Sequence, residues 1–315
     1  MPDRVPARAA RSQRQQPRLG LCCTFLDAPI KFRFSTARYL ESLAPKARWA
    51  FVGELCLHNA VALEQAVTWC AQNDVGAFRI FNQIFPLYTH PTVGYRWTDL
   101  PTAGAIESAF GRVRSLAASA DVRLSFHPDQ FVVLGSTSPA VVKASVRELD
   151  YLAEVSDLVG GTQLTIHGGG ATDGKPAALA RLRRGLDRLS DRARRLVALE
   201  NDDRVYTVRD LLPVCAADDV RMIYDVHHHR CLPDDLDVAE ATEAATETWK
   251  GAEPWFHLSS PAKGWRGSDP RPHHDLITLR DFPAVWRKRR ITIDVEAKAK
   301  ESAVLALSRA LARKS

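Results

Sequence analysis

The chain has 315 residues, of which 45% are hydrophobic and 25% are charged, a composition typical of a globular protein. No apolar run approaches the ~20 residues needed to cross a bilayer, which argues against an integral membrane protein. The net charge of +6 favours a polyanionic partner only weakly, because basic surfaces are common in proteins that bind no nucleic acid. The length suits either two average domains or one α/β barrel.

The first 17 residues are rich in Arg, Gln and Pro and contain almost no large apolar side chains. Such a segment cannot bury enough surface to offset its ordering entropy, so we predict that 1–17 is a disordered basic tail. The tail lacks the apolar core of a signal peptide, and the six cysteines form no C-x-x-C pair. We therefore expect reduced thiols in a cytoplasmic protein.

From residue 18 onward, short β-rich runs alternate with amphipathic stretches, a pattern typical of parallel strands joined by helices. No G-x-G-x-x-G motif follows the first run, so nothing indicates a dinucleotide-binding fold. Eight such runs without a change in composition predict an α/β fold in which 18–315 form a single (β/α)8 TIM barrel. The predicted strands are 18–25, 77–81, 122–126, 162–166, 196–200, 220–226, 255–259 and 292–296.

Helical spacing of apolar residues separates these runs. The stretch 260–280 contains Gly, Pro and Ser instead, and is predicted to be a long loop beside the site. The predicted helices are 59–73, 106–120, 139–159, 175–195, 208–217 and 237–249.

Residues of the types that bind metals lie where the predicted strands end. A barrel brings the carboxyl ends of all its strands to one rim, so these side chains are expected to converge. Carboxylates and imidazoles brought together without a cation would repel one another or be costly to desolvate, whereas divalent metals use both as ligands. The predicted ligands are His127, His167, Glu200, Asp225, His228, His257 and Glu296.

A single histidine after a strand is more often a hydrogen-bonded loop residue than a ligand. A metal site is favoured because all seven predicted ligands lie at the ends of successive strands. His227 and His229 flank His228 and, if the strand alternates there, face away from the site.

Seven blocks of sequence resemble the UV damage endonuclease family, in matching order and spacing from residue 18 onward. The pair LENDD and YDVHHHR is a specific combination. The blocks are SFHPDQFVVL (125–134), IHGGG (166–170), LENDD (199–203), YDVHHHR (224–230), HLSSP (257–261), HHDLI (273–277) and DVEAK (294–298).

This resemblance implies an endonuclease with two or three divalent ions, usually Mn²⁺, with Zn²⁺ or Mg²⁺ as alternatives. It implies nicking of UV-damaged double-stranded DNA 5′ to cyclobutane pyrimidine dimers and 6-4 photoproducts, leaving a 3′-hydroxyl and a 5′-phosphate. A monomer associated with the nucleoid is then expected. The resemblance adds His90 and His273 to the metal ligands, with His274 competing for the second place, and Glu200, Glu296, His127 and His257 are assigned to catalysis.

The resemblance also implies that Gln130 and Phe131 probe the damaged duplex, since an aromatic ring can fill the gap left by a flipped base. The chain departs from some family members at three positions. Leu21 and Phe25 stand where those members carry Tyr and Asn, and Trp255 stands where some carry a modified lysine. Because of these departures, the range of lesions that the chain recognises and the properties of its metal site are left open by the resemblance.

Three other functions fit parts of the pattern. Sugar isomerases use the same barrel with metal-bound Glu, Asp and His, but typically with fewer histidines. An abasic-site endonuclease shares the multi-metal plan. A non-catalytic damage-binding barrel would be favoured by apolar replacements among the ligands, and the sequence contains none.

Overall fold

The structure, a computed structural model, describes residues 16–313, so most of the predicted tail, residues 1–15, lies outside the described residues. Eight parallel strands close into a barrel in chain order, as predicted. The first strand pairs with the last through Leu21 and Val295, which completes the ring. The strands are β1 (Arg18–Cys22), β2 (Ala77–Ile80), β3 (Arg123–Phe126), β4 (Gln163–His167), β5 (Val197–Glu200), β6 (Arg221–Asp225), β7 (Trp255–Leu258) and β8 (Thr292–Val295).

Five strands, β1, β2, β6, β7 and β8, end before the predicted runs do, because the backbone turns at the rim. The first run was predicted to reach residue 25, but the strand ends at Cys22 since Cys23 has a φ of 66°. The sixth run was predicted to reach residue 226, but Asp225 ends β6 and caps the next helix. The side chains at the strand ends therefore stand at the rim itself.

Ten α-helices are present among the described residues and surround the barrel. Gly53 lies inside the second of them, which extends well beyond the predicted 59–73. A Cβ at Gly53 would lie 2.9 Å from Thr102 Oγ1, so glycine here allows close packing. The helices are α1 (Ala37–Ser42), α2 (Pro45–Gln72), α3 (Ala103–Ser119), α4 (Pro139–Val159), α5 (Lys175–Leu186), α6 (Asp191–Leu196), α7 (Val208–Asp218), α8 (Val226–Cys231), α9 (Val238–Glu247) and α10 (Lys300–Ala312).

Two further predictions differ from the structure. The predicted helix 175–195 is two helices, because the Ser190 side chain accepts the N–H of Ala193 and starts α6 afresh. Helix α8 was read as strand, so the alternation argument for His227 and His229 fails. The two rings nevertheless face other partners: His227 Nε2 lies 3.1 Å from Arg271 O, and His229 Nδ1 lies 2.7 Å from the Tyr224 hydroxyl.

The amino end of the barrel interior is closed by charged side chains. Arg18 Nε donates to Glu253 Oε1 over 2.9 Å, and Thr292 Oγ1 donates to the same oxygen over 2.6 Å. The Arg123 guanidinium lies 4.5 Å from the ring centre of Trp255, which is fully buried. This end of the barrel is therefore a packed and neutralised plug.

The loop 260–280 crosses the opposite end as predicted, and Pro261 forms an antiparallel bridge with His273. All six cysteines are unpaired in the structure. Among the described residues, no helix is both long and apolar enough to cross a membrane.

Candidate active site

Six strands deliver the predicted ligands to the carboxyl rim. Glu200 and Asp225 end β5 and β6, and His257 lies in β7. His167 ends β4, while His127 and Glu296 directly follow β3 and β8. Residues that are up to 169 positions apart in the chain, from 127 to 296, thus face one volume.

Glu200 is fully buried at the centre of this cluster. Its Oε2 lies 2.8 Å from His127 Nε2 and 3.6 Å from His167 Nε2. Its Oε1 lies 2.8 Å from His257 Nδ1 and 3.3 Å from His228 Nδ1. One buried carboxylate therefore faces four imidazoles.

Asp225 supplies a second buried carboxylate. Its Oδ1 accepts the backbone N–H of His228 over 2.8 Å, which starts α8 and turns the His228 ring inward. Its Oδ2 lies 3.6 Å from His228 Nδ1 and 4.0 Å from His257 Nδ1, and no protein group described in residues 16–313 donates a hydrogen bond to it. A buried carboxylate oxygen without a donor fits a metal ligand, since leaving it unsatisfied is costly.

Glu296 lies at the far side of the cluster beside an arginine. Its Oε1 is 3.5 Å from His257 Nδ1 and 2.7 Å from Arg79 Nη1, and its Oε2 is 3.7 Å from His273 Nδ1. Ligand atoms of the cluster lie within 4.8 Å of one another in three overlapping groups. These are His127–Glu200–His257, Glu200–Asp225–His228 and Asp225–His257–Glu296.

The electrostatics of the cluster favour positive charge between the carboxylates. Burial opposes ionisation of Glu200, yet the facing His257 and His167 hold its pKa well below the usual value. Burial also disfavours the charged form of His228, yet Asp225 and Glu200 raise its pKa well above the usual value. Burial lowers the pKa of His167, which favours the neutral ring that binds metals. The donor set of imidazoles and carboxylates therefore fits divalent cations.

The two ligands that came from the resemblance lie differently. His273 reaches the cluster through Glu296, whereas the neighbouring His274 accepts the N–H of Leu276 at Nδ1. His90 lies in the loop after β2, where its Nδ1 faces the N–H and hydroxyl of Thr92. The structure thus brings His273 to the cluster and shows no contact between His90 and the cluster carboxylates in the described chain.

Gln130 and Phe131 lie in the loop after β3, directly beyond His127. Both side chains are exposed, and Phe131 is 76% accessible. Asp129 Oδ1 accepts the N–H of Phe131 over 2.9 Å and shapes the turn that presents the ring. An exposed aromatic ring at the tip of a formed turn is free to contact a partner.

The three departures from the family pattern are core residues. Leu21 and Trp255 are fully buried, and Phe25 packs edge-on against Trp69 and stacks on Phe78. None of the three presents an exposed ring or polar group at the rim. Their role in this chain is packing.

Sequence reasoning missed Arg79 and Asp294, which lie directly beneath the cluster. Arg79 Nε donates to Asp294 Oδ2 over 2.9 Å, and both residues are buried. The available signals were an arginine inside the apolar run 77–81 and an aspartate two residues before Glu296, which alternation places on the same face of β8.

The match to a known family covers residues 17–315, over which the chain fits the model described as UV-endonuclease UvdE. The chain belongs to this family. As a UvdE member it is an enzyme of the endonuclease class, built on a single TIM barrel. Among curated relatives, the UV DNA damage endonuclease of Deinococcus radiodurans is 35% identical over 305 residues, covering 92% of this chain and 94% of the relative.

A second UvdE relative, the UV DNA damage endonuclease of Nostoc sp., is 31% identical over 313 residues, covering 95% of this chain and 92% of the relative. Among solved structures, the crystal structure of SacUVDE matches with a TM-score of 0.84 and 26% identity, covering 95% of this chain and 99% of that one. The likeness therefore spans nearly the whole UvdE chain in both sequence and fold.

Proposed function

We propose that the chain is a divalent-metal-dependent DNA repair endonuclease that acts on UV-damaged double-stranded DNA. It cuts the phosphodiester 5′ to cyclobutane pyrimidine dimers and 6-4 photoproducts and leaves a 3′-hydroxyl and a 5′-phosphate. The observation that carries the proposal is buried Glu200, whose two oxygens face four imidazoles in a member of the UvdE family. The polarity and the lesion range rest on the resemblance.

The proposed cofactor is Mn²⁺, as two or three ions, with Zn²⁺ and Mg²⁺ as alternatives of overlapping ligand preference. A bound divalent ion would act as a Lewis acid toward the scissile phosphate and lower the pKa of a water. The unsatisfied Asp225 Oδ2 and the mixed nitrogen and oxygen donors support this assignment.

In this proposal the side chains chiefly hold and orient the metals. Glu200 and Glu296 would hold the ions from opposite sides of the cluster. His127 and His257 are also proposed ligands, because each ring places a nitrogen 2.8 Å from a Glu200 oxygen and so beside any ion that Glu200 would hold. The remaining proposed ligands are His167, Asp225, His228 and His273, together with His90, which is retained on the resemblance alone.

The proposed DNA contact on the rim is the turn that carries Gln130 and Phe131. The 76% exposed Phe131 ring supports a wedge that fills the space of a flipped base. The net charge of +6 supports association with the phosphate backbone. We also propose a monomer in the cytoplasm, associated with the nucleoid, with 18–315 as the catalytic domain.

The proposal is tested with end-labelled duplexes that carry a cyclobutane dimer, a 6-4 photoproduct, an abasic site or no lesion, each incubated with protein and Mn²⁺. We expect one cut immediately 5′ to either photoproduct, a 3′-hydroxyl end that a polymerase extends, and no cut after chelation by EDTA. Cleavage of only the abasic duplex would overturn the substrate, and full cleavage in EDTA would overturn the metal.

A further inference from the structure

A buried ion pair lies directly beneath the cluster of proposed metal ligands. Neither the strand-end pattern nor the family resemblance gives its two residues a role. Arg79 Nε donates to Asp294 Oδ2 over 2.9 Å, and Arg79 Nη2 lies 2.9 Å from the same oxygen. Arg79 is 7% exposed and Asp294 is 1% exposed. The pair sits on β2 and β8, so it forms only when the barrel closes.

His257 lies between this pair and the cluster, with one ring nitrogen toward each. Nδ1 faces Glu200 Oε1 at 2.8 Å, while Nε2 faces Arg79 Nη2 at 3.0 Å. A guanidinium donates hydrogen bonds and cannot accept them, so Nε2 is the acceptor in this arrangement. The ring hydrogen is then on Nδ1, where Glu200 accepts it.

Metal binding through Nδ1 requires the opposite distribution of hydrogen on the ring. The lone pair of Nδ1 goes to the metal, so the neutral ring carries its hydrogen on Nε2, which then needs an acceptor. Asp294 Oδ2 is 3.7 Å from Nε2. Asp294 Oδ1 is buried and has no hydrogen-bond partner within the described chain.

The backbone around Asp294 leaves room for this carboxylate. A Cβ at Gly20 on the neighbouring strand would lie 2.6 Å from Asp294 Oδ1, so any side chain there would displace the oxygen. Gly20 and Asp294 are paired in register between β1 and β8. The glycine therefore preserves the position of the acceptor.

We propose that Asp294 is the positioning residue for His257: it accepts the Nε2 hydrogen when Nδ1 binds a divalent metal, and Arg79 anchors its carboxylate. A carboxylate that accepts the second N–H of a metal-bound imidazole fixes the orientation of the ring and increases its basicity. This inference rests on the proposed metal dependence and extends it to residues behind the ligands.

The test compares Mn²⁺ binding by isothermal titration calorimetry in the full chain and in Asp294→Asn. The neutral amide accepts more weakly than a carboxylate, so we expect Mn²⁺ to bind about 10–100-fold more weakly. The matched control is Glu253→Gln, which removes a buried carboxylate paired with Arg18 at the other end of the barrel and should bind Mn²⁺ as the wild type does. Equal affinities in Asp294→Asn and wild type would overturn this inference alone, whereas a wild type that binds no metal would also overturn the proposed metal dependence.

Asp294→Asn leaves Arg79 short of a counter-charge and could unfold the protein, so a second variant is needed. The double variant Arg79→Met with Asp294→Leu removes both buried charges together and leaves no unpaired cation. Glu296 loses its 2.7 Å contact with Arg79 but keeps His257 and His273 as neighbours. It should fold and still bind Mn²⁺ at least 10-fold more weakly than wild type, by the same loss of an acceptor. Wild-type affinity in the double variant would overturn the inference.

A purely structural ion pair is distinguished by the state of the His257 ring. In ¹⁵N-histidine-labelled protein loaded with diamagnetic Zn²⁺, we expect a slowly exchanging Nε2 proton with a strong downfield shift, assigned by its loss in His257→Gln. In Asp294→Asn that proton should move upfield and exchange faster. An unchanged Nε2 resonance would contradict a positioning role.

Discussion

The two ends of the barrel interior both bury charged side chains, but they satisfy them differently. At the amino end, Glu253 accepts from Arg18 and Thr292, so the carboxylate is matched by a cation and a hydroxyl of the chain itself. At the carboxyl end, Glu200 is surrounded by imidazoles, and Asp225 keeps an oxygen with no donor among the described residues. At the amino end the buried carboxylate is paired within the chain, whereas the carboxyl end offers ligand atoms to an added group.

The comparison distinguishes two kinds of buried charge. At the amino end the charges neutralise one another within the fold, whereas at the carboxyl end carboxylate oxygens remain open to an added cation. An arginine cannot lose its proton in a protein, so the amino-end pair is permanent. An imidazole can be neutral and give its lone pair to a metal, so the carboxyl-end cluster is adaptable. Arg79 stands at the boundary, because it contacts both Asp294 beneath the cluster and Glu296 within it.

The largest contrast is expected from Glu200→Gln. The amide keeps the shape of the side chain but has no negative charge with which to bind cations. Loss of a residue that only hydrogen-bonds to a metal ligand typically costs up to ~100-fold, so loss of Glu200 itself should reduce nicking of UV-irradiated plasmid by more than that. Circular dichroism without added metal should still show a folded protein at the assay temperature, with a melting temperature no higher than that of the wild type, because His257 and His167 lose their anionic partner. Nicking at the wild-type rate would show that Glu200 is not needed for catalysis and would contradict the contrast drawn between the two ends of the barrel.

The opposite outcome is expected from Glu253→Gln. This change removes the buried carboxylate that Arg18 shares with Arg123 and Arg290 and leaves Arg18 only the half-exposed Asp121. Breaking a buried pair in this way typically lowers the free energy of unfolding by about 3–5 kcal/mol. Urea denaturation measures that loss. The variant should nick irradiated plasmid at the wild-type rate at a temperature where it is folded. Loss of nicking in the folded variant would show that the amino end of the barrel also contributes to catalysis.

Glu253 also predicts a pH dependence. Burial raises the pKa of this carboxyl, but the hydrogen bonds from Arg18 and Thr292 and the charges of Arg18 and Arg123 together outweigh burial, so the pKa lies below the usual value. A lowered pKa in the folded state contributes stability that is present above the unfolded pKa of about 4.3 and is lost as pH falls through the folded pKa. The free energy of unfolding should therefore fall less steeply with acid in Glu253→Gln than in wild type.

The smallest effect is expected from Phe131→Ala at the rim. The ring is 76% exposed, so the free energy of unfolding should change by less than about 0.5 kcal/mol. Binding to a duplex with a photoproduct should weaken by about 10–100-fold, the value of one aromatic–base stacking contact, as measured by fluorescence anisotropy. The matched control Val61→Ala removes an exposed apolar group from α2 and should leave DNA binding unchanged. Equal effects of the two variants would remove Phe131 from the DNA interface.

The strands and the cluster could be predicted because they depend on local pattern and on one topological rule. Buried parallel strands appear as short apolar runs, and a ligand such as Glu200 directly ends its run. The Arg79–Asp294 pair could not be predicted, since it joins β2 and β8, which are not neighbours in the barrel. Helix α8 was missed because six residues are too few to show a reliable helical period of apolar residues. Its N-cap, Asp225, is also the last residue of β6, so the sequence shows no break between the strand and the helix.

The order of the strands also has a consequence for biosynthesis. The cluster takes ligands from β3 onward, and Glu296 directly follows β8, so a growing chain cannot assemble the complete site until the last strand has left the ribosome. A partly made chain carries several histidines and carboxylates that have no common volume in which to meet. The complete cluster therefore forms at the same step at which β8 pairs with β1 and closes the ring.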